Sequence, residues 1–345
     1  MIPPPFGGVS VHVDRALDLL RRNGVEAKLY EQTGKSDPAR GVYPLGNSKL
    51  QFLKLLLTFP EDIIHFHFNN HLALAMACQA LKFRRGKEYL ITVHSERPIR
   101  LYFEKGAVCR KSMRDYFCRA EHLICVNQNI CDFMTETLGI APEKISLIPA
   151  FLPPTQAELA EEQIPAEVTR FVKSKDKVVG THGWFGYFID GKHLYGFEQI
   201  ARLAREIADS GKNIGIYTVI SGCYEPEHRK TIIQAQQELA DHWQIVEAPF
   251  SCAALYQKTD LFVRPTLTDG DSVSIRECLS LGVPVLASDA VERPSACHTF
   301  PTQNYQQLAA EFWRLLDDPE QEHPNSDPMN FEDDLLKLFE NLLSN

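Results

Sequence analysis

The stretch FVRPTLTDGDSVSIRECLSLGVPVLASD, residues 262–289, decides the fold. It begins in a short apolar run (261–263) that reads as a strand and crosses a polar loop (266–272). A helical segment over 273–281 follows, which Gly282 stops, and Pro284 opens a second apolar strand at 285–287. Strand, loop, helix and strand form a βαβ unit. Asp269 and Glu277 then sit at the carboxyl end of a parallel strand, where open α/β sheets gather ligands. Their spacing puts one carboxylate in the loop beside Gly270 and the other inside the helix. Taken alone, the pair reads either as a turn residue and a helix-surface charge, or as two acceptors for the hydroxyls of a polyol.

Outward from this unit the same alternation continues. Segments 25–30, 63–68, 89–93 and 122–126 read as strands, with an amphipathic helix over 9–23 and an Ala-rich one over 72–82. Pro149, Pro153, Pro154 and Pro165 punctuate an acidic stretch at 148–164 that suits an interdomain connection. Beyond it come strand 177–181, helix 194–210, strand 214–221, helix 226–239, strand 243–246 and helix 252–257. Two tail helices, 304–316 and 331–343, flank a polar segment, 317–330. Strands alternating with helices predict mostly parallel, doubly wound sheets.

A chain of 345 residues has room for two such domains, and its 44% hydrophobic and 23% charged residues are those of an ordinary globular protein. No apolar window is long enough for a transmembrane helix, and MIPPPFGG lacks the form of a signal peptide, so a cytoplasmic location is expected. Nine cysteines without a C-x-x-C pair fit reduced thiols. The net charge of -9 is uneven: residues 1–150 hold 20 basic and 15 acidic residues, and the remainder holds 16 and 30. The basic excess gathers at 97–119, interleaved with Leu101, Tyr102, Phe103 and Met113. That segment is either a solvated face or a surface for peripheral contact with an anionic membrane. The chain has no zinc finger, RNA-binding aromatic motif or sustained basic tract, so no nucleic acid partner is expected.

Other residues stand where chemistry gathers. Gly7 and Gly8 precede the first helix, whose free N–H groups can meet a phosphate or hydroxyl. The prolines before them cannot lie in a central strand. His94 ends the strand 89–93, and Glu96 follows it closely. His65 and His67 share a strand face with His71 nearby, which makes a metal site geometrically possible; without a completing Asp, Glu or Cys, no metal is expected. Lys192, Arg264 and Arg276 are the cations nearest the two key loops, although Arg276 is equally placed for a local helix ion pair.

The segment 262–289 resembles the E-x7-E region of retaining GT-B glycosyltransferases of the glycosyltransferase group 1, family 4-like type. Asp269 stands where their first glutamate usually stands and Glu277 at the second; PPPFGGVSVHV and TVHSE are similar to their first loop and strand-end histidine. The resemblance implies a GT-B architecture of two Rossmann-like doubly wound domains facing a cleft, the first lacking its N-terminal strand unless the chain is shorter than the functional protein. It divides the chain into an acceptor-side domain at 1–150, a linker at 151–176, a nucleotide-sugar-binding domain at 177–303 and C-terminal helices at 304–345, the last crossing back to the first domain. It implies a catalytic set of His94, Asp269, Glu277, Lys192 and Arg264, with Tyr195 in the usual place of a diphosphate-binding lysine. The donor, a UDP- or GDP-sugar, would meet Gly7, Gly8, Gly222, Phe250, Asp269, Gly270, Asp271, Ser272, Val273 and Glu277, bordered by Ser288 and Asp289. No bound cofactor is expected. The acceptor would be lipid-linked or a cell-surface polysaccharide, on the inner face of the plasma membrane. Two other readings stand beside it: a degenerate GT-B protein that binds sugar nucleotides without transfer, and a nucleotide-sugar epimerase.

Overall fold

The computed structural model describes residues 2–343 apart from 5, 47, 68–69, 85, 224–225, 248–249 and 318–330. The chain divides into two α/β units, Met1–Ile2 with Val9–Leu152 and Phe331–Asn345, and Pro3–Gly8 with Pro153–Asn330. None of its described helices is long and apolar enough to cross a membrane.

In the first unit α1 (Gly8–Arg22) turns Ala16, Leu19 and Leu20 inward, spaced so that they share one helical face. Two short parallel strands, β1 (Leu29–Glu31) and β2 (Val42–Pro44), pair with each other. They are separate from the main sheet, whose order is β3 (Ile63–Phe66), β4 (Glu88–Val93), β5 (His122–Cys125) and β6 (Ile145–Leu147). All its pairings are parallel. Among the described residues no strand joins the two sheets, and the segment before Gly8 forms none. Among the described residues the main sheet therefore steps in one direction, from β3 to β6. The crossovers are α2 (Lys49–Thr58), α3 (His71–Leu81), α4 (Arg97–Glu104), α5 (Ala107–Arg119) and α6 (Gln128–Asp132). Ser48 and Asn70 cap α2 and α3 by accepting hydrogen bonds from the Gln51 and Ala73 amides.

The second unit opens with α7 (Ala166–Lys173), and its central strand is β7 (Lys177–Phe185). After β7 come a small hairpin, β8 (Phe188–Ile189) with β9 (Lys192–His193), and then α8 (Phe197–Ser210). The chain continues through β10 (Ile214–Cys223), α9 (Pro226–Glu238), β11 (Trp243–Val246), α10 (Ala253–Tyr256), β12 (Leu261–Arg264), α11 (Val273–Ser280), β13 (Val285–Ser288), β14 (His298–Phe300) and α12 (Tyr305–Asp317). The sheet order is β11-β10-β7-β12-β13-β14, all parallel. Strand order therefore reverses between β7 and β12, which makes this unit doubly wound. Helix α8 starts three residues later than its apolar pattern suggests. Gly196 sits just before it in the left-handed region (φ 65), and a Cβ there would stand 2.2 Å from the Pro265 carbonyl.

The final helix, α13 (Glu332–Leu343), belongs to the first unit although it ends the chain. Leu335 and Phe339 pack with Leu20 of α1, Leu90 of β4 and Ile124 of β5, and Glu332 accepts an ion-paired hydrogen bond from Arg22. Leu335 is 2% exposed. Leu335→Ala should cost about 2–5 kcal/mol, read as a lower midpoint in urea unfolding. A cost below about 1 kcal/mol would show that α13 adds little to this core.

Candidate functional site

The switch between β7 and β12 is the place in an open parallel sheet where two loops diverge and leave a crevice. Here the loops are tied together: the Leu267 amide donates to the Leu194 carbonyl at 2.8 Å, and Pro265 presses on Gly196. The loop after β12 then carries Asp269, Gly270, Asp271 and Ser272 to the start of α11.

Asp269 is the hub of a buried ion cluster. Its Oδ2 accepts from Arg264 Nε and from Arg293 Nη1, each at 3.1 Å; its Oδ1 accepts from Arg264 Nη2 and the Gly270 amide, each at 3.2 Å. The side chains of Arg264, Asp269 and Arg293 are 8%, 12% and 3% exposed. Arg264 also donates to the His182 carbonyl at 2.8 Å and lies over the Tyr195 ring at 5.0 Å. Arg293 reaches the Ser288 carbonyl and Thr266 Oγ1. Burial pushes the Asp269 carboxyl up, but Arg264 and Arg293 outweigh it and hold the group below its ordinary value. Two arginines against one aspartate leave a net charge of +1 on this cluster.

With both oxygens accepting these hydrogen bonds, Asp269 anchors the loop. Arg264, one of the expected cations, is held in place by the same contacts. Asp271 accepts from Arg276 Nε at 2.5 Å, so Arg276 does form the local ion pair. Ser272 precedes α11, and its hydroxyl lies 3.1 Å from that of Ser274. The first amides of α11 have no intrahelical partners, which leaves them as donors for an anion. Glu277 is buried within α11 at 6% exposed, and its charge adds to the burial that pushes the Cys252 thiol up to about 12.

The Gly7-Gly8 turn groups with this unit. A Cβ on Gly8 would touch Val273 at 3.4 Å, and one on Gly7 would come within 3.8 Å of the Trp184 ring. The far side of that ring covers Gly222 so closely that a Cβ there would lie 2.2 Å from it. Gly7, Gly8, Trp184, Gly222 and Val273 thus stand together. Phe250 does not join them: it is a core residue packed with Tyr217 and Val246, and residues 248–249 just before it lie outside the described residues. Lys192 is exposed on the β8–β9 hairpin and donates to Gln303 Oε1. Ser288 donates to the Thr266 carbonyl at 2.6 Å, and Asp289 accepts from the Thr302 amide and hydroxyl, each at 2.7 Å.

In the first unit His94 follows β4 and stands with His67 and His12, while Glu96 accepts from Asn129 at 3.1 Å. Desolvation keeps these imidazoles neutral, lowering His12 to about 4 and His65 to about 3. The far end of the segment 63–68 falls outside the described residues.

Residues 6–156 match the sequence model of Glycosyltransferase Family 4. The chain is 24% identical over 286 residues to a 2-deoxystreptamine glucosyltransferase from Streptomyces kanamyceticus, covering 77% of this chain and 71% of that protein. Among solved structures it is similar to a sucrose-phosphate synthase from Thermosynechococcus elongatus, with TM-score 0.71, 17% identity and coverage of 98% and 94%. It is also similar to Anabaena HepE in complex with UDP-glucose, with TM-score 0.68, 15% identity and coverage of 98% and 96%. Over residues 6–156 the chain is thus similar to Glycosyltransferase Family 4, and its two α/β units have the GT-B fold of these solved structures.

Two residues of this candidate site, Arg293 and Trp184, carry no signal in the sequence. Arg293 lies 24 positions beyond Asp269, in a loop without a motif, and only the β13–β14 connection brings it back. Trp184 lies inside an aromatic-rich strand end and carried no spacing signal. Removing the central charge tests the cluster. Asp269→Asn leaves two buried guanidiniums uncompensated and should cost about 3–5 kcal/mol of stability. Because the native pKa is depressed, the charge stabilises the fold fully above the unfolded carboxyl's range and progressively less as pH falls through the native value. The variant should therefore show a flatter acid limb in thermal unfolding. A loss below about 1 kcal/mol with an unchanged acid limb would contradict this role.

Proposed function

We propose that the protein is a retaining glycosyltransferase that moves a sugar from a nucleoside diphosphate sugar to a lipid-linked or polysaccharide acceptor. The observation that carries the reading is the grouping at the switch point of the second unit: a net positive Arg264–Asp269–Arg293 cluster, the amides at the start of α11, and buried Glu277 on the same helix. Diphosphate oxygens suit the first two features, since fixed cations and N–H groups stabilise the charge that builds on a departing diphosphate. Glu277 suits a sugar or ribose hydroxyl donated to its carboxylate. The Gly7-Gly8 backbone, beside Val273 and Trp184, allows close approach to the donor. HepE was solved with UDP-glucose, which supports a UDP-sugar as the first donor to try.

In the reaction the acceptor oxygen bonds to the anomeric carbon on the face from which the diphosphate departs. The bond between that carbon and the phosphate oxygen breaks, and the departing phosphate takes the hydroxyl proton. No side chain serves as a covalent nucleophile. Exclusion of water and alignment of the acceptor supply the remaining rate enhancement.

A membrane-linked acceptor is supported by the surface of α4 and α5. Phe103 is 64% and Val108 86% exposed, among Arg97, Arg100, Lys105, Arg110 and Lys111. Aromatic and aliphatic groups among cations suit an anionic leaflet. The protein would then work as a peripheral enzyme on a cytoplasmic membrane face.

Calorimetry with UDP- and GDP-sugars, paired with nucleotide release and NMR of the product's anomeric centre, tests the reading. One donor should bind, release nucleotide when acceptor is present, and give a product of unchanged anomeric configuration. Glu277→Ala should weaken donor binding about 10- to 100-fold, as loss of a charge-assisted hydrogen bond does. No binding of either donor class to folded protein would overturn the assignment, and an inverted product would overturn the mechanism. Phe103→Ser with Lys105→Glu should reduce sedimentation with anionic vesicles severalfold while leaving donor binding intact; unchanged sedimentation would remove the membrane contact.

A further inference from the structure

We propose that His12, His67 and His94 form a binding site in the first unit for a divalent transition-metal ion of the zinc type. The three come from separate elements, α1 and the segments that follow β3 and β4. Each offers a ring nitrogen, and the three nitrogens all lie within 4.8 Å of one another. His67 Nδ1 and His94 Nε2 are 3.2 Å apart. The ring of His12 lies 5.1 Å from that of His94 and 5.6 Å from that of His67, between centroids.

These distances fit one ion. Zinc–nitrogen bonds of about 2.0–2.1 Å in a tetrahedron put ligand nitrogens about 3.3 Å apart. The His67–His94 pair already has that separation. The widest pair needs roughly 1.5 Å of closure to reach it, which ring rotation on a side chain supplies.

Two further features point to a ligand. His12 Nδ1 is buried with no hydrogen-bond partner among the described residues, a state that folded proteins rarely leave unexplained. The same ring makes a backbone hydrogen bond with Ala150. Metal-bound histidines are commonly oriented in this way, with one nitrogen on a carbonyl and the other on the ion.

His65 supports the set from behind. Its ring lies 4.0 Å from that of His67, and its Nε2 meets Thr92 Oγ1 at 2.7 Å. The alternation of a strand places 65 and 67 on one face. Three neutral imidazoles without a carboxylate select zinc, copper or nickel over magnesium or calcium. Three protein ligands leave a fourth position for water or an oxygen donor. The ion would tie α1 to two strand ends, and His94 would act as a ligand in place of the direct sugar contact expected from the sequence. The site stands whether or not the second unit binds a sugar nucleotide.

The test uses the full chain without a polyhistidine tag, stripped with a chelator and titrated with Zn2+ by calorimetry and with Co2+ by visible absorption. One Zn2+ should bind per chain and raise the thermal midpoint, Mg2+ should not compete, and Co2+ should give tetrahedral ligand-field bands that Zn2+ abolishes. His67→Ala should weaken Zn2+ binding at least tenfold and remove the thermal shift, as should His94→Gln. His71→Gln, whose ring lies against Tyr116 and Cys109, should leave both unchanged. Zn2+ binding unaltered by the His67 and His94 substitutions would overturn the proposal, as would Co2+ bands with the charge-transfer absorption of a cysteine ligand. Should both variants fail to fold, the wild-type chain still decides, since the absence of Co2+ bands at saturating ion overturns the site.

Discussion

Three charges held out of water, Arg264, Asp269 and Arg293, set the geometry on which the candidate site depends. Removing such groups from solvent is expensive, and the cost is met only when every partner is in position. Here Asp269 accepts from both arginines, and each arginine also holds a backbone carbonyl: Arg264 that of His182, Arg293 that of Ser288. The cluster therefore fastens the ends of β7, β12 and β13 to a single carboxylate. The loop that follows leads directly into α11, so the placement of its first amides and of Glu277 follows from the same contacts.

The first unit is organised differently. Its core gathers around α1, with α13 supplied from the far end of the chain, and its sheets remain apart among the described residues. Arg15 of α1 donates to the Leu152 carbonyl at 2.7 Å, which fixes the chain just where the first unit ends. Close by on the same helix, His12 meets the histidines at the ends of β3 and β4. The helix that follows the glycine turn thus serves packing, the exit of the chain and the histidine group together.

Local signals were legible in the sequence where they were chemical. The βαβ unit at 262–289 emerged nearly residue for residue, because Gly282 and Pro284 punctuate it and its apolar periods are short and regular. The prolines before Gly7 are not strand formers, and the described residues of that segment lie in no strand. Long-range pairings were not legible. An apolar run at 25–30 gives no sign that only Leu29–Glu31 pairs, nor that its partner is Val42–Pro44. Asp269 looked like an open acceptor because nothing in its own loop announces Arg293. Phe250 looked like a pocket wall, and only the packing of Tyr217 and Val246 reveals it as core. The histidines were visible on one strand face, but His12, from a different helix, completes the group. The family match covers residues 6–156, whereas the most specific sequence pattern lies at 262–289, in the other unit.

The most direct measurement is a structure determined with a bound UDP-sugar. The account predicts diphosphate oxygens against the amides of residues 270–273 and within reach of the Arg264 or Arg293 guanidinium, with a donor hydroxyl on Glu277. A nucleotide bound away from this loop, or a diphosphate held by groups that leave the Arg264–Asp269–Arg293 cluster untouched, would contradict it.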